Sequence, residues 1–265
     1  MEPILLSVAG VDPSAGAGLL ADLETFRSHG ARGVGVVSLV TVQSSRGVKR
    51  VEVMQAELVR DQLRALLEDL PIAAIKTGAL GDAAVVRAVA QALADFRGPV
   101  VVDPVVCSSS GASLLDDAGV DALLESLLPR ATLIMPNLAE AQLLTGLEVC
   151  DLASMGEAAA VLRRRGVERV LVKGGHLAGA PTDLWLDAAG SMQLTGERVA
   201  TRHTHGTGCA YASAISARLG WGEEPRVAAR SARRWLEAAL RSAPGLGAGE
   251  GPLELRTQAS PIRSR

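Results

Sequence analysis

The most restrictive feature of the sequence is a regular alternation between short apolar runs and longer segments of helical periodicity. Runs that are apolar at most successive positions occupy residues 4–9, 34–42, 72–76, 100–103, 132–135 and 169–173. Segments with apolar residues near i, i+3, i+4 and i+7 lie between them, at 18–29, 56–70, 83–96, 116–128 and 154–165. Such apolar runs are typical of parallel strands covered on both faces. The alternation therefore predicts right-handed βαβ units in an α/β fold, with a doubly wound, mostly parallel sheet flanked by helices.

The strand pattern changes after residue 180. Two short runs separated by Ala188-Ala189-Gly190 predict a small antiparallel hairpin near 183–194. Helical periodicity then returns near 207–219 and 226–242. We therefore expect the hairpin at an edge of the sheet, followed by two helices.

The chain has no internal repeat and no linker before a stretch rich in Gly and Pro at 244–251. Residues 1–253 are therefore predicted to form a single domain. The last residues lack an apolar face, so we expect a disordered tail over 254–265.

Composition excludes several classes of partner. Lysine and arginine number 27 against 29 aspartate and glutamate, which leaves no broad positive field for nucleic acid or for an anionic membrane surface. The chain has 2 Phe, 3 Trp and 1 Tyr, too few to form stacking platforms for successive bases. We therefore expect a small-molecule partner and no nucleic acid.

The cysteines indicate a reducing compartment. There are 3 of them, widely spaced, which fits neither a disulfide framework nor a paired zinc motif. No run approaches the roughly 18 apolar residues needed to span a bilayer, and the first residues lack the basic start of a signal peptide. The sequence therefore predicts a cytoplasmic protein with no membrane partner.

Chemistry is expected beyond the carboxyl ends of the strands, where open α/β sheets bind their ligands. The first strand runs into a Gly-rich loop, residues 9–18, in which glycines permit close approach of the backbone to a ligand. Its spacing matches neither the dinucleotide fingerprint nor the P-loop. The loop is therefore either part of a substrate site or an ordinary strand-to-helix turn.

The strongest local signal is the run 203–209, which leads into a helix of small residues. Gly206, Thr207 and Gly208 allow several backbone amides to point one way, and the following helix adds the positive end of its dipole. This arrangement predicts an anion hole suited to a phosphoryl group in transit. Cys209 lies in the first helical turn, where its thiol pKa is expected to fall. It is then a candidate base for a substrate alcohol, the alternative being a small residue that fills space behind the turn.

Two more strand ends suit a nucleotide site. Asn137 and Glu140 are three residues apart after a strand, so both would lie on one face of a helix start and could hold Mg²⁺ directly or through its waters. The alternative is a solvated helix face. Lys173 and Gly174 end another strand with a cation and a flexible turn that can reach phosphate.

Taken together, these residues resemble the hydroxymethylpyrimidine/phosphomethylpyrimidine kinases of thiamine biosynthesis, which belong to the ribokinase-like superfamily. The resemblance covers about residues 4–253, with the motifs in the family's order. The Gly-Thr-Gly-Cys run ending at Cys209 distinguishes this family from most other ribokinase-like enzymes, which have Asp at the position of Cys209. The other motifs are 9–18, Ala21-Asp22-Leu23, Gln43, Lys76-Thr77-Gly78, Val102-Asp103-Pro104-Val105, Pro136-Asn137-x-x-Glu140 and Lys173-Gly174-Gly175-His176.

This resemblance implies ATP-dependent phosphorylation of 4-amino-5-hydroxymethyl-2-methylpyrimidine, and then of its monophosphate to the diphosphate. It implies ATP and Mg²⁺ as cofactors and a homodimer, for which the 183–194 hairpin is a candidate contact. Cys209 is implied as the base, with the amides of residues 206–209 around the transferring phosphoryl group. Other implied site residues are Gly10, Asp12, Asp22, Gln43, Ala79 and Val106 for the pyrimidine, Asp103, Lys173, Gly174, Thr207 and Gly208 for the nucleotide, and Asn137 and Glu140 for Mg²⁺.

Some positions depart from the family's pattern and keep alternatives open. Ser109 stands where many members have a cation, which bears on the second phosphorylation. Ala79 stands where some members place Met against the pyrimidine, which makes room for a larger ring substituent. A pyridoxal or pyridoxine kinase is therefore one alternative. Another is a non-catalytic pyrimidine-binding relic, against which the retained anion hole argues.

Overall fold

The computed structural model describes residues 2–257 and 259, which build one nine-stranded sheet between two helical layers. The strands are β1 (Ile4–Val11), β2 (Arg32–Ser44), β3 (Gly47–Val53), β4 (Ile72–Thr77), β5 (Val100–Val102), β6 (Leu133–Ile134), β7 (Arg169–Val172), β8 (Thr182–Asp187) and β9 (Gly190–Thr195). The helices are α1 (Gly18–Ser28), α2 (Ala56–Asp69), α3 (Ala83–Ala92), α4 (Asp117–Ala122), α5 (Leu138–Thr145), α6 (Leu152–Arg164), α7 (Thr207–Gly220) and α8 (Pro225–Arg241).

The strand order is β3-β2-β1-β4-β5-β6-β7-β8-β9, and the six strands from β2 to β7 in this order are parallel. The predicted doubly wound, mostly parallel sheet is confirmed. The predicted hairpin is also confirmed, as the antiparallel pair β8 and β9. The sequence analysis missed β3, which pairs antiparallel with β2 and forms the other edge of the sheet.

Successive strand residues contribute to opposite layers of the core, as expected for a sheet covered on both faces. Leu6 of β1 packs in the same cluster as Val59 and Val86 from α2 and α3. Its neighbour Leu5 packs with Phe26 of α1 on the other side. Helices α1, α7 and α8 therefore cover one face, and α2 to α6 cover the other. No helix in the described part of the chain is long and apolar enough to cross a membrane.

The C-terminal segment differs from the predicted disordered tail. Leu255 is buried in the core beside α8. The indole Nε1 of Trp235 donates to the Thr257 carbonyl at 2.8 Å, and the Glu254 amide donates to Ala239 at 3.2 Å. Because these contacts use backbone groups and a single leucine, the segment packs without the repeating apolar face that sequence patterns reveal. Residues 258 and 260–265 of the predicted tail lie outside the described residues.

The turn after β7 is held by a close approach of two backbones. The Gly174 amide donates to Asp183 Oδ1 at 2.9 Å. A methyl group added at Gly174 would lie 1.9 Å from the Thr182 carbonyl oxygen. Gly175, the next residue, has open space on that side. Only the first of these two glycines is therefore required by packing.

We expect Gly174→Ala to lower the free energy of unfolding by about 1 to 3 kcal/mol, because the collision is with backbone that cannot rotate away. Gly175→Ala, the matched control, is expected to change it by less than about 0.5 kcal/mol. Urea unfolding of both variants and the parent checks this. Equal stability of the two variants would contradict the packing argument.

Candidate active site

Three chain segments meet beyond the carboxyl ends of the parallel strands. Asp103 follows β5 and Lys173 follows β7, and the Lys173 Nζ lies 2.6 Å from Asp103 Oδ1. The first turn of α7 lies against this pair, since a methyl group added at Gly208 would be 3.2 Å from the Lys173 Nζ. The position follows from topology, because adjacent parallel strands end at the same edge of the sheet. The structure thus brings together three residues that the sequence analysis assigned to a nucleotide site.

The start of α7 depends on a glycine in the left-handed region. Gly206 precedes the helix with φ of 79°, and a side chain there would strike the Gly16 carbonyl oxygen at 1.9 Å. The Thr207 amide donates to the Thr204 carbonyl at 3.2 Å. The amides of Gly208 and Cys209 have no acceptor among the described residues. The predicted anion hole therefore has fewer free donors than expected, because the Thr207 amide already has an acceptor.

The predicted fall in the Cys209 pKa is wrong for this structure. Burial raises the pKa of the Cys209 thiol to about 11. Lys76 acts in the opposite direction, while the carboxylates of Asp103 and Asp22 add to the rise. The helix N-terminus therefore does not outweigh the removal of the thiol from water.

Asp22 is fully buried, and both of its carboxylate oxygens already have protein partners, so its predicted contact with the pyrimidine stays a prediction. Its Oδ1 accepts from Lys76 Nζ at 3.0 Å and from Ser213 Oγ at 2.7 Å. Its Oδ2 accepts from Lys76 Nζ at 2.8 Å and from Ser7 Oγ at 2.6 Å. Lys76 also has no exposed surface. Burial lowers its pKa, but the combined effect of Asp22, Cys209 and Asp103 outweighs burial, so the net pKa is raised and the ammonium stays charged. The pair and the two serine hydroxyls tie α1, α7, β1 and β4 together.

Asp12 organises the Gly-rich loop after β1. Its Oδ1 accepts from the Ser14 amide and hydroxyl, and its Oδ2 from the Ala17 amide at 3.0 Å and from His205 Nε2 at 2.7 Å. Burial acts to raise the Asp12 pKa, but the bonds from His205 and Ser14 outweigh it and hold the pKa below its usual value. These four bonds to the Asp12 carboxylate fix the loop, and the predicted contact of Asp12 with the pyrimidine stays a prediction.

His205 links that loop to Gln43 on β2. The same ring nitrogen lies 2.7 Å from Asp12 Oδ2 and 3.0 Å from Gln43 Nε2. One nitrogen cannot donate to the carboxylate and accept from an amide together, so the consistent network turns the Gln43 oxygen toward the ring. The Gln43 amide nitrogen then donates to Thr41 Oγ1, which donates to the Val11 carbonyl at 3.0 Å. Gln43 is thereby held at the edge of the site.

Asn137 and Glu140 form a reciprocal cap at the start of α5. Asn137 Oδ1 accepts from the Glu140 amide at 2.9 Å, and Glu140 Oε2 accepts from the Asn137 amide at 2.7 Å. Glu140 Oε2 also lies 3.8 Å from the Lys173 Nζ. Burial raises the pKa of Glu140 to about 7, against the opposing effect of Lys173. The cap gives the Asn137 oxygen a protein partner, whereas Glu140 Oε1 keeps none among the described residues.

The remaining predicted residues contribute backbone or shape. A side chain at Gly10 would collide with Leu39 Cδ1 at 2.4 Å. The Ala79 carbonyl accepts from Ser38 Oγ at 2.5 Å, and Val106 is buried with its carbonyl accepting two amides. The Gly174 amide is already bonded to Asp183, so the predicted nucleotide contact is not open to that amide. No cluster of three His, Cys, Asp or Glu residues suited to a metal ion occurs in the described part of the chain.

No role was predicted for Lys76, the charged residue next to the end of the apolar strand β4. His205, within the run 203–209, orients the Gly-rich loop through its contact with Asp12. A lysine at the end of an otherwise apolar run is a detectable signal, because such a charge is buried only when it has a partner.

The fold is that of ribokinase-like kinases, as comparison with known proteins shows. The family described as phosphomethylpyrimidine kinase matches residues 12–254. The hydroxymethylpyrimidine/phosphomethylpyrimidine kinase of Synechococcus elongatus is 42% identical over 253 residues, covering 95% of this chain and 96% of that protein. An ADP complex of Bacillus subtilis pyridoxal kinase superposes with a TM-score of 0.89 at 29% identity, covering 97% of this chain and 98% of the other.

The chain belongs to the phosphomethylpyrimidine kinase family, and it is a phosphotransferase. It also matches the thiamine biosynthesis bifunctional protein ThiED of Geobacter sulfurreducens, with 42% identity over 263 residues. That match covers 98% of this chain and 54% of the relative, so the chain spans about half of that longer protein.

Proposed function

We propose that this kinase uses ATP to phosphorylate the hydroxymethyl group of 4-amino-5-hydroxymethyl-2-methylpyrimidine, and then phosphorylates the monophosphate to the diphosphate. The observation that carries the proposal is the first turn of α7 lying against the Asp103–Lys173 pair. There, the unused amides of Gly208 and Cys209 lie beside a partly buried ammonium group. Phosphoryl transfer depends mainly on positioning and charge stabilisation, which backbone amides and a lysine supply.

In this mechanism, Lys173 faces the nucleotide phosphates, while the amides of Gly208 and Cys209 donate to the oxygens of the transferring group. Cys209 takes the proton of the acceptor hydroxyl as its oxygen bonds to phosphorus. Gln43, held by His205 and Thr41, presents its amide to the ring edge, where a carboxamide matches an amine beside a ring nitrogen.

The residues present fit one Mg²⁺ ion accompanying the nucleotide. Glu140 Oε1 is a carboxylate oxygen without a protein partner, 3 residues into a helix that begins at the same sheet edge as Lys173. Mg²⁺ usually keeps several waters and binds through one or two carboxylates plus phosphates, so a protein cage is not required. When bound, it would neutralise charge on the β- and γ-phosphates. Asn137 would fix the orientation of Glu140 through the cap.

A pyridoxal kinase remains the second candidate, favoured by two observations. The Bacillus subtilis pyridoxal kinase shares the whole fold at a TM-score of 0.89. Ala79 is a small, partly exposed residue at the end of β4, which leaves room for a larger ring substituent.

Acceptor specificity is tested by measuring ADP release with the aminopyrimidine alcohol and with pyridoxal. We expect at least about a tenfold higher kcat/KM for the aminopyrimidine, because an amide left unpaired by the wrong ring costs about 1 to 3 kcal/mol. Analysis of the products separates monophosphate from diphosphate. A higher kcat/KM for pyridoxal would overturn the assignment in favour of the second candidate.

The role of Cys209 is tested with Cys209→Ala. Loss of a general base usually lowers the rate by about 10²-fold or more, and we expect kcat to fall by that amount with little change in the ATP KM. Cys150→Ala, which removes an exposed thiol outside the site, is the control and should leave kcat unchanged. Near-normal turnover by Cys209→Ala would show that the thiol is not the base.

We also propose that the enzyme is a homodimer, with the contact at the β2–β3 edge. Val40, Val42 and Val53 there are 40%, 54% and 37% exposed, a concentration of apolar surface typical of protein interfaces. The predicted contact at the β8–β9 hairpin is less suited, because Met192 and Leu194 of β9 point into the core.

The homodimer proposal predicts that Val42→Asp shifts the protein from dimer to monomer in sedimentation equilibrium. Gln193→Asp adds the same negative charge on the β8–β9 hairpin and should leave the measured molecular mass unchanged. A monomeric parent, or a dimer disrupted by Gln193→Asp and not by Val42→Asp, would refute the assigned contact.

A further inference from the structure

A buried cation lies behind the first turns of α7. Lys76 is the penultimate residue of β4 and has no exposed surface, and a methyl group added at Gly78 would lie 2.9 Å from its Nζ. The ammonium therefore reaches the carboxyl end of its strand, where the site described above is formed. Its contacts with both oxygens of Asp22 fix it in one place.

Helix periodicity directs Cys209 toward the same buried pair. Ser213 lies four residues after Cys209 on α7, and side chains at i and i+4 share one helix face. Ser213 Oγ donates to Asp22 Oδ1 at 2.7 Å, so that face is turned toward the ion pair. Cys209 is thus the residue of α7 that lies between the buried pair and the strand-end site.

The charges around Cys209 come from four elements. Lys76 belongs to β4, Asp22 to α1, Asp103 follows β5 and Lys173 follows β7. Among these, Lys76 has the largest effect on the Cys209 pKa and lowers it, while both carboxylates raise it. Lys173 is bonded to Asp103 at 2.6 Å, which leaves Lys76 as the cation that acts most strongly on the sulfur.

We propose that Lys76 is a positioning residue for phosphoryl transfer: an interior ammonium, fixed by Asp22, that stabilises negative charge on the Cys209 sulfur. This inference rests on the proposed function for its use in catalysis. There, the Cys209 thiolate takes the proton of the acceptor hydroxyl while that oxygen bonds to the γ-phosphorus of ATP. The bond from this phosphorus to the bridging oxygen breaks, and its electron pair leaves with ADP.

The test measures the thiol directly. Cys107 and Cys150 are exposed, so a Cys107→Ser/Cys150→Ser protein leaves Cys209 as the one thiol. The rate of alkylation by iodoacetamide at pH 8.5 reports its thiolate fraction. In that protein, Lys76→Met, which removes the charge and keeps the length, is expected to lower the rate at least about threefold. The factor is smaller than the change in thiolate fraction because a thiolate of higher pKa is more nucleophilic.

Substitution of Asp22, the partner of Lys76, is expected to change the alkylation rate in the opposite direction. Asp22→Asn removes a carboxylate that disfavours the thiolate, so it is expected to raise the alkylation rate by a similar factor. A structural role of the pair would shift both variants in the same direction, by loosening α7. The proposal would be overturned if both variants changed the alkylation rate in the same direction, or if Lys76→Met left that rate unchanged.

Lys76→Met leaves the buried Asp22 carboxylate without its cation, which can prevent folding. A further variant covers that case. The double variant Asp22→Asn/Lys76→Met carries no buried charge at either position, and its comparison with Asp22→Asn isolates the lysine. A lower alkylation rate in the double variant supports the proposal, and an equal rate overturns it.

Alkylation uses neither ATP nor an acceptor, so this result does not depend on the proposed reaction. In turnover assays of the chain with all three cysteines, we expect kcat of Lys76→Met to fall with little change in the ATP KM, and its rise with pH to move to higher pH. An unchanged pH profile despite altered alkylation would overturn the catalytic role of Lys76. Failure of the proposed function itself would appear separately, as normal turnover by Cys209→Ala.

Discussion

The geometry of the site depends on the buried ion pair between Asp22 and Lys76. A carboxylate without exposed surface is stable only when its oxygens are satisfied, and Asp22 receives a lysine and two serine hydroxyls. These donors come from β1, β4 and α7, so one carboxylate connects three elements to α1. Removing one partner of a buried pair typically costs about 3 to 5 kcal/mol, because the other charge is left uncompensated. The pair therefore fixes how α7 lies on the sheet, and with it the position of Gly208 and Cys209.

Most of the fold was predictable, because a parallel sheet covered on both faces leaves a strong record in the sequence. The apolar runs coincide with six of the strands, and the turn at Ala188-Ala189-Gly190 marks the hairpin. The strand β3 was missed for a physical reason. It is an edge strand whose Lys49, Arg50 and Glu52 are largely exposed, so its sequence lacks the apolar run of a central strand. Charged side chains are common on edge strands, and they hide such a strand from a search for apolar runs.

The location of the candidate site was predictable from the sequence, but the partners of its side chains were not. Residues at strand ends converge by topology, so Lys173 and the turn before α7 were placed together by their positions, and the family resemblance added Asp103. The partners of Asp22 depend on tertiary contacts, with Lys76 54 positions away along the chain and Ser213 191 away. No local pattern distinguishes a carboxylate that faces a ligand from one that neutralises an interior lysine. The rise of the Cys209 pKa likewise depends on burial, which sequence position does not specify.

The cluster at the ends of β5, β7 and the start of α5 bears on which form of the nucleotide the enzyme binds. Lys173 lies between Asp103 at 2.6 Å and Glu140 at 3.8 Å, so a single ammonium faces two carboxyl groups. When Glu140 is ionised this cluster is net negative, which opposes the approach of an uncomplexed polyphosphate. Burial raises the Glu140 pKa to about 7, so near neutral pH its charge responds to what binds beside it. An added cation favours the ionised carboxylate, and an added anion favours the protonated form. Within the proposed function, the two carboxyl groups around Lys173 suit a nucleotide that arrives with a divalent cation.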